Sequence, residues 1–179
     1  TPSTSTLAEM AGALRGAGAE VIALASNAAH ASSGVIQRAS GLPMIDMIQV
    51  AAVAARATGA RRVGVLGGRA SLRLYREYLA AQAMGMVALP ADRQEAFLAT
   101  LARLRAGDQD PAVRRDMAAY VIELASAGAE AVIVGAVDAA LALQSEPFRI
   151  DVIDPAELLA QRCVSVCLGF DPLRALPGD

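Results

Sequence analysis

Leu7, Met10 and Leu14 recur at helical spacing, Gly16 and Gly18 follow, and an unbroken apolar run then covers 21–25. A period near 3.6 that stops at glycine and gives way to a short continuous run reads as a helix feeding a buried strand. The same alternation runs along the rest of the chain. A weak helix reaches about residue 39, a strand over 44–47 follows Pro43, and a helix over 50–57 is closed by Gly59. Next come a strand over 62–66, a helix over 72–83 and a strand over 86–89 ended by Pro90. Asp92 is the expected N-cap of a helix reaching Arg105, and the segment 107–111 breaks the chain before a long helix over 112–127. A strand over 130–135, a short helix over 139–144, a strand over 149–153 and a helix from 157 to about 167 complete the series. Strands that are continuous Val/Ile/Leu runs alternating with helices predict an α/β fold, with parallel sheets covered by helices on both faces.

The pattern also repeats itself. Gly18-Ala19-Glu20-Val21-Ile22-Ala23-Leu24-Ala25-Ser26 is answered by Gly128-Ala129-Glu130-Ala131-Val132-Ile133-Val134-Gly135-Ala136, and Met44-Ile45-Asp46 by Val152-Ile153-Asp154. Two similar βα units imply two pseudo-symmetric lobes whose equivalent strand tips meet at a shared site. Those tips are Ser26 and Ala136. The division expected is a first lobe of residues 1–60 plus 146–170, a second lobe of 61–145, and a tail of 171–179.

Composition narrows the function classes. At 179 residues and 55% hydrophobic, the chain buries a sizeable core. A net charge of −2 with 3% aromatics offers neither an electrostatic footprint nor a stacking platform for nucleic acid. Charged residues or glycines interrupt every apolar run short of a membrane span. Cys163 and Cys167, one helical turn apart, form no disulfide framework and no zinc knuckle, so no metal and a reducing cytoplasm are expected. Thr1 follows no initiator Met and no signal-like region, so a trimmed chain is expected.

Several short motifs stand in one order: Ser26-Asn27-Ala28-Ala29-His30, Pro43-Met44-Ile45-Asp46-Met47-Ile48, Arg62-Val63-Gly64-Val65-Leu66, Arg105-Ala106-Gly107, Gly135-Ala136-Val137-Asp138 and Ile153-Asp154-Pro155. Together, from about Leu7 to Cys167, they resemble the aspartate/glutamate racemase superfamily. The resemblance implies two pseudo-symmetric α/β lobes, no cofactor, a homodimer as one assembly, and a small carboxylate or amino acid bound between the lobes. It implies racemase, isomerase or lyase chemistry at the carbon next to the carboxylate. In such racemases the turns read Cys-Asn-Thr-Ala-His and Gly-Cys-Thr-Glu, and the two thiols exchange a proton on opposite faces of the α-carbon. Here Ser26 and Ala136 occupy the thiol positions. A hydroxyl is a far weaker acid than a thiol, and a methyl group has no proton to exchange, so two-thiol racemisation is closed to this sequence. Ala28 and Val137 replace the threonines, Asp138 stands for the Glu, and Arg105 for a Lys that holds a substrate carboxylate. The loop Gly67-Gly68-Arg69-Ala70-Ser71 is shorter than the family's, and the resemblance leads one to expect the family's opening segment, with its Gly-Gly-Met turn, ahead of the residues seen here.

On this reading the chemistry falls to Ser26, Ala136 and Asp138, and substrate contacts to Asn27, His30, Arg105 and Val137. Each has a plainer reading beside it. No nucleophile elbow surrounds Ser26, and a serine at a strand end is an ordinary turn former. A lone His30 four residues past a strand orders a turn as readily as it acts as a base. Asp138, Asp46 and Asp154 begin helices, where a carboxylate caps free N–H groups. Arg105 can grip a carboxylate bidentately but also suits a helix end. The alternatives to an enzyme are a non-catalytic homologue acting as a binding module and an engineered variant of a true racemase.

Overall fold

The computed structural model describes residues 2–144 and 146–171. Its helices are α1 (Thr4–Gly16), α2 (Ser33–Ser40), α3 (Met47–Ala57), α4 (Arg69–Ala81), α5 (Ala91–Arg105), α6 (Pro111–Ser126), α7 (Val137–Leu143) and α8 (Pro155–Cys167). Its strands are β1 (Ile22–Ala23), β2 (Met44–Ile45), β3 (Arg62–Leu66), β4 (Gly85–Val87), β5 (Ala131–Val134) and β6 (Asp151–Ile153). A 3-10 turn, Ala28–Ser32, precedes α2. All strand pairs are parallel, in a small sheet of order β1-β2 and a larger one of order β4-β3-β5-β6.

Alternation along the strands of the larger sheet sorts its two faces. Val63 and Val65 of β3 and Ala131 and Ile133 of β5 meet α3 and α4 through Ile48, Ala52, Leu74 and Leu79. Leu66, Val132 and Val134 meet α5, α6 and α7 through Phe97, Met117, Leu124 and Ala139. Covering both faces is why the buried positions of β3 and β5 are apolar on either side, and each buried Val, Leu or Ile contributes about 1.5–3 kcal/mol. The small sheet packs Ile22 on α1 and α2, and Ile45 on α8 through Leu159. α3 is the wall between the two sheets. Met47, Ile48, Ala51, Ala52 and Ala55 are all fully buried, and its alanines let α4, α8 and the larger sheet approach from different sides.

The sequence repeat is a structural repeat. Ile22 pairs with Met44 and Ala23 with Ile45, just as Val132 pairs with Val152 and Ile133 with Ile153. Both leading helices end alike. Gly18 has φ of 93° and Gly128 of 90°, and in each case the glycine N–H and the next N–H turn back onto the last helical carbonyls at 2.9 and 3.0 Å. This is the left-handed helix ending that glycine adopts without a Cβ penalty.

The structure departs from the sequence expectations in several places. β1 spans only Ile22–Ala23, because among the described residues it pairs with β2 alone, whereas β5 has a neighbour on each side. Pro90 is the N-cap residue of α5 and Asp92 lies in the first turn, where its charge still suits the helix dipole. The segment 146–170 divides: β6 is hydrogen-bonded to β5 in the larger sheet, whereas α8 packs on α3 and β2. The expected tail falls, from residue 172 on, outside the described residues. Among those described, no helix is long and apolar enough to cross a membrane.

The paired glycines differ in surroundings, and this sets a test. A Cβ at Gly18 would meet open space, whereas one at Gly128 would lie 2.5 Å from Arg62 Nη1. Gly18→Ala is expected to cost about 1–2 kcal/mol from backbone conformation alone. Gly128→Ala is expected to cost more, since it also displaces the Arg62 guanidinium from the Ala127 carbonyl it holds at 3.0 Å. Urea unfolding of the two variants measures the difference, and equal losses would show that the Arg62 contact contributes nothing.

Candidate active site

The first N–H groups of α3 have no partners within the helix and lie in a buried region, so side chains must supply them. Asp46, the N-cap, accepts from Ile48 N–H at 2.7 Å and Gln49 N–H at 3.1 Å through Oδ1. Its Oδ2 accepts from the Tyr78 hydroxyl at 2.6 Å. The remaining group, Met47 N–H, donates to His30 Nε2 at 3.1 Å. Because a backbone N–H can only donate, Nε2 is the acceptor and the ring proton sits on Nδ1, which donates to the Ser26 carbonyl at 2.8 Å. His30 is 3% exposed, and both its nitrogens are engaged in tying the turn after β1 to the start of α3.

That turn carries Ser26 and Asn27. Ser26 is half-buried, and the imidazole approaches its carbonyl rather than its hydroxyl, so the structure supplies no base to this oxygen through His30. Asn27 is 4% exposed, and its Oδ1 accepts from the hydroxyl of Tyr75 at 2.6 Å. Tyr75 is fully buried on α4. Burial first, then the carboxylates of Asp46 and Asp154, push its phenol well above the ordinary value, so it remains an O–H donor.

The edge of the same ring, beside its hydroxyl, lies against the second turn. A Cβ on Gly135 would sit 3.0 Å from Tyr75 Cε2 and 3.1 Å from the Leu66 carbonyl, a tight fit that would require these neighbours to give by a few tenths of an ångström. Asn27 and Gly135, the neighbours of Ser26 and Ala136, therefore touch one tyrosine. Ala136 is 6% exposed and is the N-cap residue of α7, with no side-chain hydrogen bond to the helix. Val137 opens α7 and is half-buried. Asp138, in the first turn, accepts from Arg105 Nε at 2.8 Å, and their side chains are 42% and 59% exposed. Two residues singled out separately in the sequence are thus partners at the surface. Asp154 caps α8 as Asp46 caps α3, accepting from Ala156 N–H at 2.8 Å. It also borders a cavity of about 290 Å³ beside β5 and β6, with Val134, Leu143, Phe148 and Val152 in the wall.

Cys163 is half-buried beside Ile45, Met47 and Leu159, and burial followed by the Cys167 thiol raises its pKa; Cys167 is exposed. The residue that sequence reading overlooked is Tyr75. Its apolar neighbours at helical spacing, Leu72 and Leu79, mark a core position, and nothing local marks its hydroxyl as the link between two turns.

Two parallel α/β halves with matching strand registers, matching helix endings and matching acidic caps define a pseudo-symmetric α/β protein. The chain belongs to the Asp/Glu/hydantoin racemase family, whose model matches residues 1–163. Its fold is similar to that of an aspartate racemase homologue from Pyrococcus horikoshii OT3, with 25% identity, a TM-score of 0.77 and coverage of 92% of this chain and 74% of that one. Picrophilus torridus aspartate racemase is 18% identical with a TM-score of 0.78, covering 91% of this chain and 68% of that one. Arylmalonate decarboxylase, at 18% identity and a TM-score of 0.55, covers 98% of this chain and 78% of that one. At such identities the likeness is one of fold.

Replacing His30 tests its place in this arrangement. His30→Ala is expected to destabilise by about 2–4 kcal/mol, from an unpaired buried N–H and the space left behind. His30→Phe restores volume but neither hydrogen bond, and is expected to recover little. A loss below about 0.5 kcal/mol for both in denaturant unfolding would contradict the two-bond role.

Proposed function

We propose that this chain binds a small carboxylate or amino acid between the turn after β1 and the turn after β5, and carries out cofactor-independent racemase/isomerase- or lyase-type chemistry at the carbon next to the carboxylate. The observation that carries this reading is the pairing of the two turns through one buried tyrosine, with Ser26 and Ala136 at the positions that the family resemblance gives to proton exchange. Asn27 and Arg105 supply donors for a carboxylate, and Val137 an apolar wall. Asp138 is the acid/base group.

The Arg105–Asp138 pair fits such a cycle. An exposed ion pair contributes at most about 1 kcal/mol, so an incoming carboxylate can take the guanidinium and release Asp138. Racemisation needs a proton removed on one face and delivered on the other, whereas a lyase that breaks a bond to carbon needs one donor for the carbanion that remains. A site with no thiol at either tip and one carboxylate, Asp138, suits the one-donor case. The second reading is a non-catalytic binding module. Ala136, with no exchangeable proton, favours it. Two cysteines outside any disulfide accord with a reducing cytoplasm.

Solvent deuterium incorporation at the α-carbon of aspartate, glutamate and prochiral dicarboxylates, followed by mass spectrometry, separates these readings. If Asp138 carries the chemistry, Asp138→Asn abolishes turnover and exchange, and installing thiols by Ser26→Cys with Ala136→Cys does little. If the chain is a disabled racemase, exchange survives Asp138→Asn and rises with both thiols. No exchange and no turnover in any variant leaves the binding module. For recognition, Arg105→Ala is expected to weaken dicarboxylate binding about tenfold in calorimetry, as loss of a charged hydrogen bond does. Unchanged affinity would remove Arg105 from the site.

A further inference from the structure

Tyr75 lies at the junction of the two turns, yet nothing in the family reading requires it. Its hydroxyl is buried, and donates to Asn27 Oδ1 at 2.6 Å. A phenol confined to this place needs some acceptor, and a carbonyl of the backbone would serve stability equally well. Using a side-chain amide has a further consequence. An amide carries an acceptor and two donors on one planar carbon, so engaging Oδ1 leaves the Nδ2 protons for another partner.

We propose that Tyr75 is a positioning residue for ligand binding: by holding Asn27 Oδ1 it fixes the amide so that Nδ2 faces the space between the turns as a donor for a ligand carboxylate. This rests on the ligand-binding reading above. The phenol spends its one proton on Asn27 Oδ1 at 2.6 Å, which leaves the Nδ2 protons as the donors that Asn27 can offer elsewhere. The edge of the ring adds a second constraint. Tyr75 Cε2 lies so close to the Gly135 backbone that a Cβ there would stand 3.0 Å away, so the ring also sets the spacing from Asn27 to the second turn. In the repeat, Ala25 occupies the place of Gly135 and Val137 that of Asn27. Only the first turn therefore carries the amide, and only the second has the glycine that admits the ring.

Tyr75→Phe keeps the ring against Gly135 and removes the hydroxyl. Asn27→Asp keeps an acceptor for Tyr75 and removes the donor. The probes are malonate, L-aspartate and D-aspartate, titrated into the intact chain, together with NMR of the Asn27 side-chain amide and hydrogen exchange of residues 26–30. Tyr75→Phe is expected to shift the Asn27 amide signals, to speed exchange in 26–30, and to weaken probe binding roughly two- to tenfold, the range of one neutral hydrogen bond. Asn27→Asp is expected to weaken binding at least as much while the turn stays protected. A Tyr75→Phe protein that melts earlier but binds every probe as tightly as the parent would make Tyr75 merely structural and overturn the proposal. Unchanged Asn27 amide signals would overturn it by themselves. If the parent chain binds no probe, the ligand-binding reading fails instead, and the amide signals and turn exchange alone decide whether Tyr75 orients Asn27.

Discussion

The candidate site is arranged around the unpaired N–H groups at the start of α3. Each such group left without a partner in a buried region costs about 1–3 kcal/mol, and here three consecutive ones are met by side chains from two places. Asp46 takes two and His30 takes the third. Because His30 reaches back with its other nitrogen to the Ser26 carbonyl, the turn after β1 cannot move without unpairing α3. Tyr78 then fixes the free oxygen of Asp46, and so joins α4 to the same knot.

The second copy of the repeat meets this requirement by another route. Asp154 caps α8 as Asp46 caps α3, but the residue equivalent to Met47 is Pro155, which has no N–H to satisfy. The residue equivalent to His30 is Ala140. Where the donor is present a histidine receives it, and where proline removes the donor alanine suffices. This gives His30 a structural explanation complete in itself. It also makes the two turns chemically unequal, with Ser26, Asn27 and His30 on one side answered by Ala136, Val137 and Ala140 on the other. A pseudo-symmetric frame thus carries two turns of unlike chemistry.

The halves are not independent bodies. α3 follows β2 of the small sheet yet packs on α4 and on β5 of the larger one, and α8 follows β6 of the larger sheet yet packs on α3 and β2. Each cap therefore sits at the seam between the sheets, and both carboxylates act on the buried Tyr75 phenol. Strand tips that end at such a seam are where a parallel α/β architecture commonly places a ligand.

Local interactions were legible in the sequence. The strand expected over 62–66 has the bounds of β3, the glycines at 18 and 128 end their helices, and Asp46 and Asp154 stand at helix starts, since each depends on neighbours within a few residues. The repeat of strand and cap was legible for the same reason. The length of β1, the sheet that takes β6, the link of Arg105 to Asp138 and that of Tyr75 to Asn27 were settled by tertiary structure. The last two join residues 33 and 48 positions apart. No periodicity or capping rule reaches across such distances, because which donor meets which acceptor is decided only when the helices have packed on the sheets and left a buried hydroxyl in need of a partner.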